Sequence, residues 1–118
     1  MVLSLAAKDY SDQMLGNLTQ SMFAENVSSA FHVRNQDGLP VSLELVECRA
    51  GAARADYEIF SLMFKGPRDT VLPQRIHEVE HPVLGTFPLF LVPVRQDHDG
   101  TYYESVFNRP SPGKNESQ

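Results

Sequence analysis

One five-residue segment carries side chains that could bind a metal ion and activate water. It reads His77-Glu78-Val79-Glu80-His81 and matches the pattern H-E-x-x-H. On a helix this spacing places both histidines on one face as zinc ligands, with the first glutamate as general base. A zinc hydrolase centred on His77, Glu78 and His81 is therefore one hypothesis for this chain.

The residues next to this segment favour a strand instead. Pro82 directly follows His81, and a proline pushes the preceding residue out of the helical region. On a strand, His77 and His81 share one face while Glu78 points to the other. Their Cα atoms would lie about 13 Å apart, too far to bind one metal ion without a bend. We therefore predict a polar strand with no metal and no catalytic residue.

Other reactive side chains also have structural explanations. Cys48 ends an apolar strand and has no histidine nearby in sequence, so we predict a buried, inert thiol. Asp97 and Asp99 are spaced as closely as the carboxylates of a calcium loop. The segment lacks the length of such a loop and its closing glutamate, which favours a hairpin turn before Gly100. A single cysteine also excludes a disulfide framework within the chain. We predict no cofactor.

Length and charge narrow the function classes. The chain has 118 residues, of which 42% are hydrophobic, enough for one domain with one core. The net charge of −5 argues against a nucleic-acid partner, because phosphate contacts need clustered Lys and Arg. The longest apolar run, 83–94, is too short to span a bilayer. Met1 to Asp9 lacks the basic start of a classical secretory signal, so the default localisation is cytoplasmic, with extracellular assembly as the alternative.

The first quarter of the chain has helical periodicity. Apolar residues recur every fourth position, which predicts a helix over about 6–24, capped by Ser4 or Asp9. We assign 1–28 to an N-terminal helical segment that either packs over a sheet or acts as a partner-binding arm. The candidate contact residues are Tyr10, Met14, Leu18 and Met22.

Residues 29–109 alternate with period two and predict about six short strands. In the second strand Val41, Leu43 and Leu45 face one way. Pro88 and Pro93 are five apart, so a single free edge cannot accommodate both, and at least one must lie at a bulge or strand end. The expected fold is mainly β, a small antiparallel barrel or sandwich with an N-terminal helix. Residues 110–118 read as a flexible tail.

Several of these strands are apolar on both faces. A sheet protein of this size cannot easily cover both faces alone, which suggests an oligomer or a larger assembly. Outward aromatic side chains are frequent at interfaces, so Tyr57 and Tyr102 join the candidate contact residues.

Five short motifs, in order, resemble a small bacterial domain family of unknown function. They are F-S-L-M-F-K-G-P at 60–67, L-P-Q at 72–74, H-P-V-L-G at 81–85, L-F-L-V-P-V at 89–94 and Y-E-S-V-F-N at 103–108. The resemblance covers roughly 38–109 and implies no catalytic residues. Some members are encoded near phage tail-collar-like proteins, which implies a fibre context. The chain departs from the pattern at Ser105, usually Ala, and at His77, where an aromatic is commoner.

The leading hypothesis is thus a non-enzymatic, β-rich structural or assembly module. It would be a subunit or adaptor of a phage-derived or extracellular fibre. Its partner would be another copy of the chain or another fibre or assembly protein. The alternatives are a small-ligand-binding barrel with an aromatic interior and the zinc hydrolase.

Overall fold

The computed structural model describes residues 18–34, 39–51 and 56–110. Their order is one short helix followed by six strands. The elements are α1 (Gln20–Ala24), β1 (Ala30–Arg34), β2 (Pro40–Ala50), β3 (Tyr57–Gly66), β4 (Arg75–His81), β5 (Gly85–Asp97) and β6 (Gly100–Pro110). No helix among the described residues has the length and apolar character needed to cross a bilayer.

The six strands form one antiparallel sheet that closes on itself. Their order is β1-β2-β3-β6-β5-β4, and β4 pairs back with β1 at His32↔Glu80 and Val33↔Val79. The longest ladder joins β3 to β6, from Tyr57↔Pro110 to Gly66↔Thr101. The predicted mainly β, antiparallel, six-stranded architecture is confirmed, and the pairing makes it a closed ring.

Alternation along each strand puts the apolar residues inside the ring. Val41, Leu43 and Leu45 of β2 are buried while their neighbours Ser42 and Glu44 are exposed, as predicted. Among the described residues, seven leucines and six phenylalanines make up most of the buried apolar side chains, and their burial stabilises the fold. The largest side chains with at most 1% exposure are Tyr103, Phe23, Phe31, Phe60, Phe64 and Phe87.

Strand β5 changes partner halfway along, which explains its prolines. Gly85–Leu91 pairs with β4, whereas the ladder with β6 starts at Val92. The β6 register shifts between Pro93 and Arg95, so a bulge lies beside Pro93, as the proline spacing required. Pro88 pairs with Glu78 of β4 in a part of β5 that has no β6 ladder on its other side. A missing N–H is tolerated at such a one-sided position.

The loop between β3 and β4 closes one end of the ring. Leu72 is fully buried there, and its backbone N–H donates to Oη of Tyr103 at 2.9 Å. Burial raises the pKa of Tyr103, so its hydroxyl stays protonated as a hydrogen-bonding group. Near this loop, the backbones of Gly66 and Gly100 lie close together. A Cβ on Gly100 would lie 2.4 Å from the carbonyl oxygen of Gly66. No larger residue fits at Gly100 without a backbone shift.

Helix α1 covers the other end of the ring and is shorter than predicted. Thr19 is its N-cap, with extended backbone and a side chain that accepts from the N–H of Met22 at 3.2 Å. A helix running unbroken from residue 6 to 24 is therefore wrong, because Thr19 interrupts it. The predicted caps Ser4 and Asp9 lie outside the described residues, as does the tail after Pro110.

Candidate functional site

The two histidines of the H-E-x-x-H segment lie on one inner face of β4. His77 and His81 are 3% and 5% exposed, while Glu78 lies on the exposed outer face. This is the strand arrangement that the flanking proline predicted, and it separates the glutamate from both imidazoles. Among the described residues, no group of three or more His, Cys, Asp or Glu side chains is arranged to hold a metal ion.

His81 is held as one neutral tautomer by its hydrogen bonds. Its Nδ1 accepts the backbone N–H groups of Val83 and Leu84 at 3.0 and 3.2 Å, so Nδ1 carries no proton. In the neutral ring the proton is then on Nε2, which donates to Oγ of Ser29 at 2.8 Å. The Ser29 hydroxyl donates in turn to the carbonyl oxygen of Asn26 at 2.5 Å.

The positions of the protons on His81 and Ser29 decide what chemistry this pair can do. A serine nucleophile needs an imidazole that accepts its hydroxyl proton. Here the imidazole donates to Ser29, and the hydroxyl proton is committed to Asn26. The pair therefore ties the turn between β4 and β5 to the segment before β1. It is a structural link rather than an acyl-transfer site.

His77 is also committed within the fold. Its Nε2 donates to the carbonyl oxygen of Pro73 at 2.7 Å, which anchors the loop before β4. Burial lowers the pKa of His77, the bond to Pro73 opposes that shift, and the charge of Arg75 adds to it. Burial, and secondarily His32, lowers the pKa of His81.

The lowered histidine pKa values predict that acid destabilises the fold. Above the unfolded value of about 6.5 both rings are neutral in both states, and their contribution to stability is fully present. As the pH falls below that value, the unfolded chain takes up protons first, and stability falls until the folded pKa values are passed. Protonated His81 would also lose the acceptor for Val83 and Leu84. Chemical denaturation between pH 8 and pH 5 measures this loss.

A non-titrating replacement tests which residue is responsible. In His81→Asn, the amide oxygen can accept the same two N–H groups without titrating, so the pH dependence should be shallower than in the wild type. The matched control is His98→Asn, since the His98 side chain is 87% exposed. An equal flattening in both variants would contradict the assignment to His81.

A second polar cluster lies at the end of the ring that α1 covers. The guanidinium of Arg109 meets Oε1 of Glu58 at 3.1 and 3.2 Å, through Nη2 and Nε, and both side chains are only 16–17% exposed. Oε2 of Glu58 accepts the backbone N–H of Gln20 at 3.0 Å, and Nη2 of Arg109 donates to the carbonyl oxygen of Leu18. We call Glu58 and Arg109 the clamp, because they bind the backbone of the segment before and at the start of α1.

Phe23 of α1 fills the same end of the ring. Its ring centroid lies 5.7 Å from that of Phe107, 6.0 Å from that of Phe87 and 6.1 Å from that of Phe60. Phe60 and Phe107 stack at 4.5 Å, and the Arg109 guanidinium carbon lies 5.2 Å from the centroid of Phe107. Phe23 thus completes an aromatic cluster capped by the clamp.

Cys48 lies beneath the start of α1. Its Sγ is half-buried, 3.8 Å from the carbonyl oxygen of Gln20. Burial raises the pKa of this thiol, and the negative charge of Glu58 raises it further. A protonated thiol is a poor nucleophile. Cys48 was predicted to be buried and is half-buried, and its inertness stays a prediction.

The predicted contact residues are placed in different ways. Leu18 is 6% exposed and belongs to the core. Met22 packs partly against the core. Tyr57 is 41% exposed, and Tyr102 is half-buried beneath the guanidinium of Arg95, 3.8 Å from the ring centroid. Tyr10 and Met14 lie outside the described residues. An interaction role for these residues stays a prediction.

An apolar row on the outer face of the ring was not singled out from the sequence. Ile76 and Phe90 are cross-strand partners on β4 and β5, and they are 43% and 46% exposed. The β5–β6 ladder ends at Val92↔Glu104, and Val106 lies two residues beyond Glu104 on the outer face of β6. Val106 is 64% exposed. We call Ile76, Phe90 and Val106 the outer row. The signal for it was the apolar residues at outward positions of alternating strands.

A cleft of about 290 Å³ lies outside the ring, where β1 and β4 pair. It is lined by His32, Val33, Arg34, Pro40 and Glu80. Arg34 and Glu80 form an ion pair at 3.1 Å with side chains 63% and 50% exposed. Small-molecule sites start at about this volume and bury most of the ligand in apolar walls. The cleft has a charged and solvated rim, and its shape alone assigns it no ligand.

Comparison with known proteins places the chain in a family. No curated protein and no solved structure matches it. The family model of a domain of unknown function, DUF6916, matches residues 18–107. The match begins at Leu18, which the clamp contacts, and ends at Phe107 in the aromatic cluster. The matched range is most of the chain and contains every element described above except the last residues of β6. The chain therefore belongs to the DUF6916 family of domains of unknown function.

Proposed function

We propose that the closed ring is a small barrel that acts as a non-enzymatic assembly module and associates with a second copy of the chain through the outer row. The observation that carries the proposal is the outer row itself, with exposed fractions of 43%, 46% and 64%. A fibre subunit or adaptor, the role implied by the family resemblance, is one form that such a module takes.

The outer row is suited to contact because it presents exposed apolar side chains on regular strands. Ile76 and Phe90 are joined by a backbone ladder, and Val106 is exposed on β6 two residues beyond the end of the β5–β6 ladder. Scattered exposed apolar residues are ordinary, but a row that includes an aromatic anchor is a common interface feature. Glu78 and Glu104 lie next to it, as polar rims lie around apolar interface centres.

The commitment of the reactive side chains supports a non-enzymatic role. The described hydrogen bonds of the reactive side chains go to the backbone or to each other, in the case of His77, His81 and Ser29. The clamp binds the chain's own α1. The ligand-barrel alternative has less support, because the described interior is filled by aromatic rings in contact. The zinc-hydrolase alternative has less support because Glu78 lies on the opposite face of β4 from both histidines.

Light scattering of the full-length chain over a range of concentrations tests the proposal. We expect concentration-dependent association, weakened at least about tenfold in Phe90→Asp, because a charge at an interface anchor costs more than about 1.4 kcal/mol. The matched control is Leu39→Asp, since Leu39 is 67% exposed and directly precedes β2, which pairs with none of the strands that carry the outer row.

Two results would contradict the proposal. One is a wild-type chain that stays monomeric at the highest soluble concentration. The other is an equal change in Phe90→Asp and Leu39→Asp, which would indicate a general effect of charge on solubility. Electron microscopy of the same samples separates discrete oligomers from filaments.

A further inference from the structure

The segment formed by Leu18 and α1 is attached mainly to the end of the ring that it covers. Phe23 is fully buried in the aromatic cluster, Leu18 is 6% exposed, and the clamp binds two backbone groups of the segment. A five-residue helix is too short to be stable by itself, so its order depends on these tertiary contacts. We call residues 18–24 the plug.

The connection from the plug to β1 is short and strained. It consists of the turn 25–28, and Ser28 has a φ of +79°, the only positive φ at a non-glycine residue in the described part of the chain. A side chain in this left-handed region raises the energy of the backbone. The N–H of Ser28 donates to the carbonyl oxygen of Leu45 at 2.7 Å, which holds the turn in place.

Release of the plug leaves two complementary surfaces. The end of the ring would expose Phe60, Phe87 and Phe107 together with an unfilled clamp, and the plug would expose Phe23. Each surface fits the other because they already make these contacts within one chain. A second copy in the same state offers both surfaces again, and a short strained hinge favours such an exchange.

We infer that the plug is an exchangeable arm, and that two copies of the chain form a dimer in which each plug fills the ring of the other. In the exchanged dimer the contacts of Phe23, Leu18 and the clamp are retained, while the turn 25–28 opens and Ser28 returns to ordinary extended backbone. The inference rests on the proposed assembly function and names a second contact for it. Together with the outer row, two separate two-fold contacts per chain permit assemblies larger than a dimer.

The native cysteine provides a direct reporter. Because Sγ of Cys48 lies 3.8 Å from the backbone carbonyl oxygen of Gln20, a cysteine introduced at position 20 brings a second thiol next to Cys48, and oxidation can then trap this contact as a disulfide. In full-length Gln20→Cys, equilibrated at low micromolar concentration before oxidation, the 20–48 disulfide should form within one chain. After equilibration at millimolar concentration it should join two chains, as peptide mapping and non-reducing electrophoresis would show. The control is Gln20→Cys with Cys48→Ser, which cannot form this link.

A hinge variant tests the same inference without a disulfide. Ser28→Gly removes the cost of the positive φ in the closed chain, so the dissociation constant of the exchanged dimer should rise about tenfold or more, since the dimer contains two hinges. The inference is overturned if no 20–48 disulfide joins two chains at millimolar concentration, or if Ser28→Gly leaves the dimer unchanged.

Adding Phe90→Asp to Gln20→Cys separates this inference from the proposed function. Cross-linking between chains that survives Phe90→Asp supports exchange independently of the outer row. Wild-type association that is lost in Phe90→Asp, with a 20–48 disulfide only within chains, supports the outer row and overturns exchange.

Discussion

Replacing Phe23 with alanine is expected to lower the free energy of unfolding by about 3–5 kcal/mol, the cost of removing a fully buried aromatic ring. Phe23 has no exposed surface and lies within 6.1 Å, centroid to centroid, of three other phenylalanine rings. The cavity would open at the end of the ring, where the neighbouring strands β5 and β6 are no longer paired to each other. Urea denaturation of the full-length chain measures the change.

The matched control for Phe23 is its exposed neighbour Ser21. Ser21→Ala changes the same helix without changing the interior, so its effect should stay within about 0.5 kcal/mol. A loss below about 1 kcal/mol in Phe23→Ala would mean that α1 is an appendage rather than part of the core. That result would also contradict the plug, because its contacts would then be too weak to hold two exchanged chains together.

Arg109→Met is expected to lower the free energy of unfolding by about 2–4 kcal/mol. Breaking a buried ion pair leaves an uncompensated charge, and the 16–17% exposure of these side chains admits some water that moderates the cost. Among the described residues, Glu58 would keep the N–H of Gln20 as the remaining hydrogen-bond partner for its carboxylate, and the carbonyl of Leu18 would lose its guanidinium donor. Methionine keeps most of the packing volume against Phe107, so the loss reports the polar contacts.

An exposed ion pair of the same composition is the control for the clamp. Arg34 and Glu80 also meet at 3.1 Å, but their side chains are 63% and 50% exposed. Arg34→Met should cost less than about 1 kcal/mol. In the double variant Arg109→Met/Glu58→Gln, part of the lost stability should return, because no charge is left unpaired. Equal costs for Arg109→Met and Arg34→Met would contradict the assignment of the clamp.

The strand boundaries show how much local pattern can determine. The alternation of Val41, Leu43 and Leu45 predicted the buried face of β2, because the period of two is enforced by burial of one face. The spacing of Pro88 and Pro93 predicted a bulge or a strand end at one of them, because a proline cannot donate to a ladder, and the register shift lies beside Pro93. The predicted helix over 6–24 failed at Thr19, since the recurrence of Leu18 and Met22 reflects contact with the core at the end of the ring rather than one continuous helical face.

The clamp and the outer row could not be predicted from local sequence patterns. Glu58 and Arg109 are 51 residues apart, and they meet because β3 and β6, although not consecutive, pair along their whole length. The outer row depends on the registers of two ladders, β4 with β5 and β5 with β6. Pairing between distant strands depends on the closure of the whole sheet, which no single window of sequence specifies.

By itself the sequence determined that this is a mainly β, acidic, single-cysteine domain in which the H-E-x-x-H segment lies on a strand. Those conclusions follow from residue type, charge and short-range periodicity, which act over a few residues. Only the tertiary structure decided that the ring closes between β1 and β4, that Phe23 and the clamp seal one end, and that His81 donates to Ser29 rather than accepting its proton. Each of these depends on atoms brought together from distant parts of the chain, where packing and hydrogen-bond geometry set the outcome.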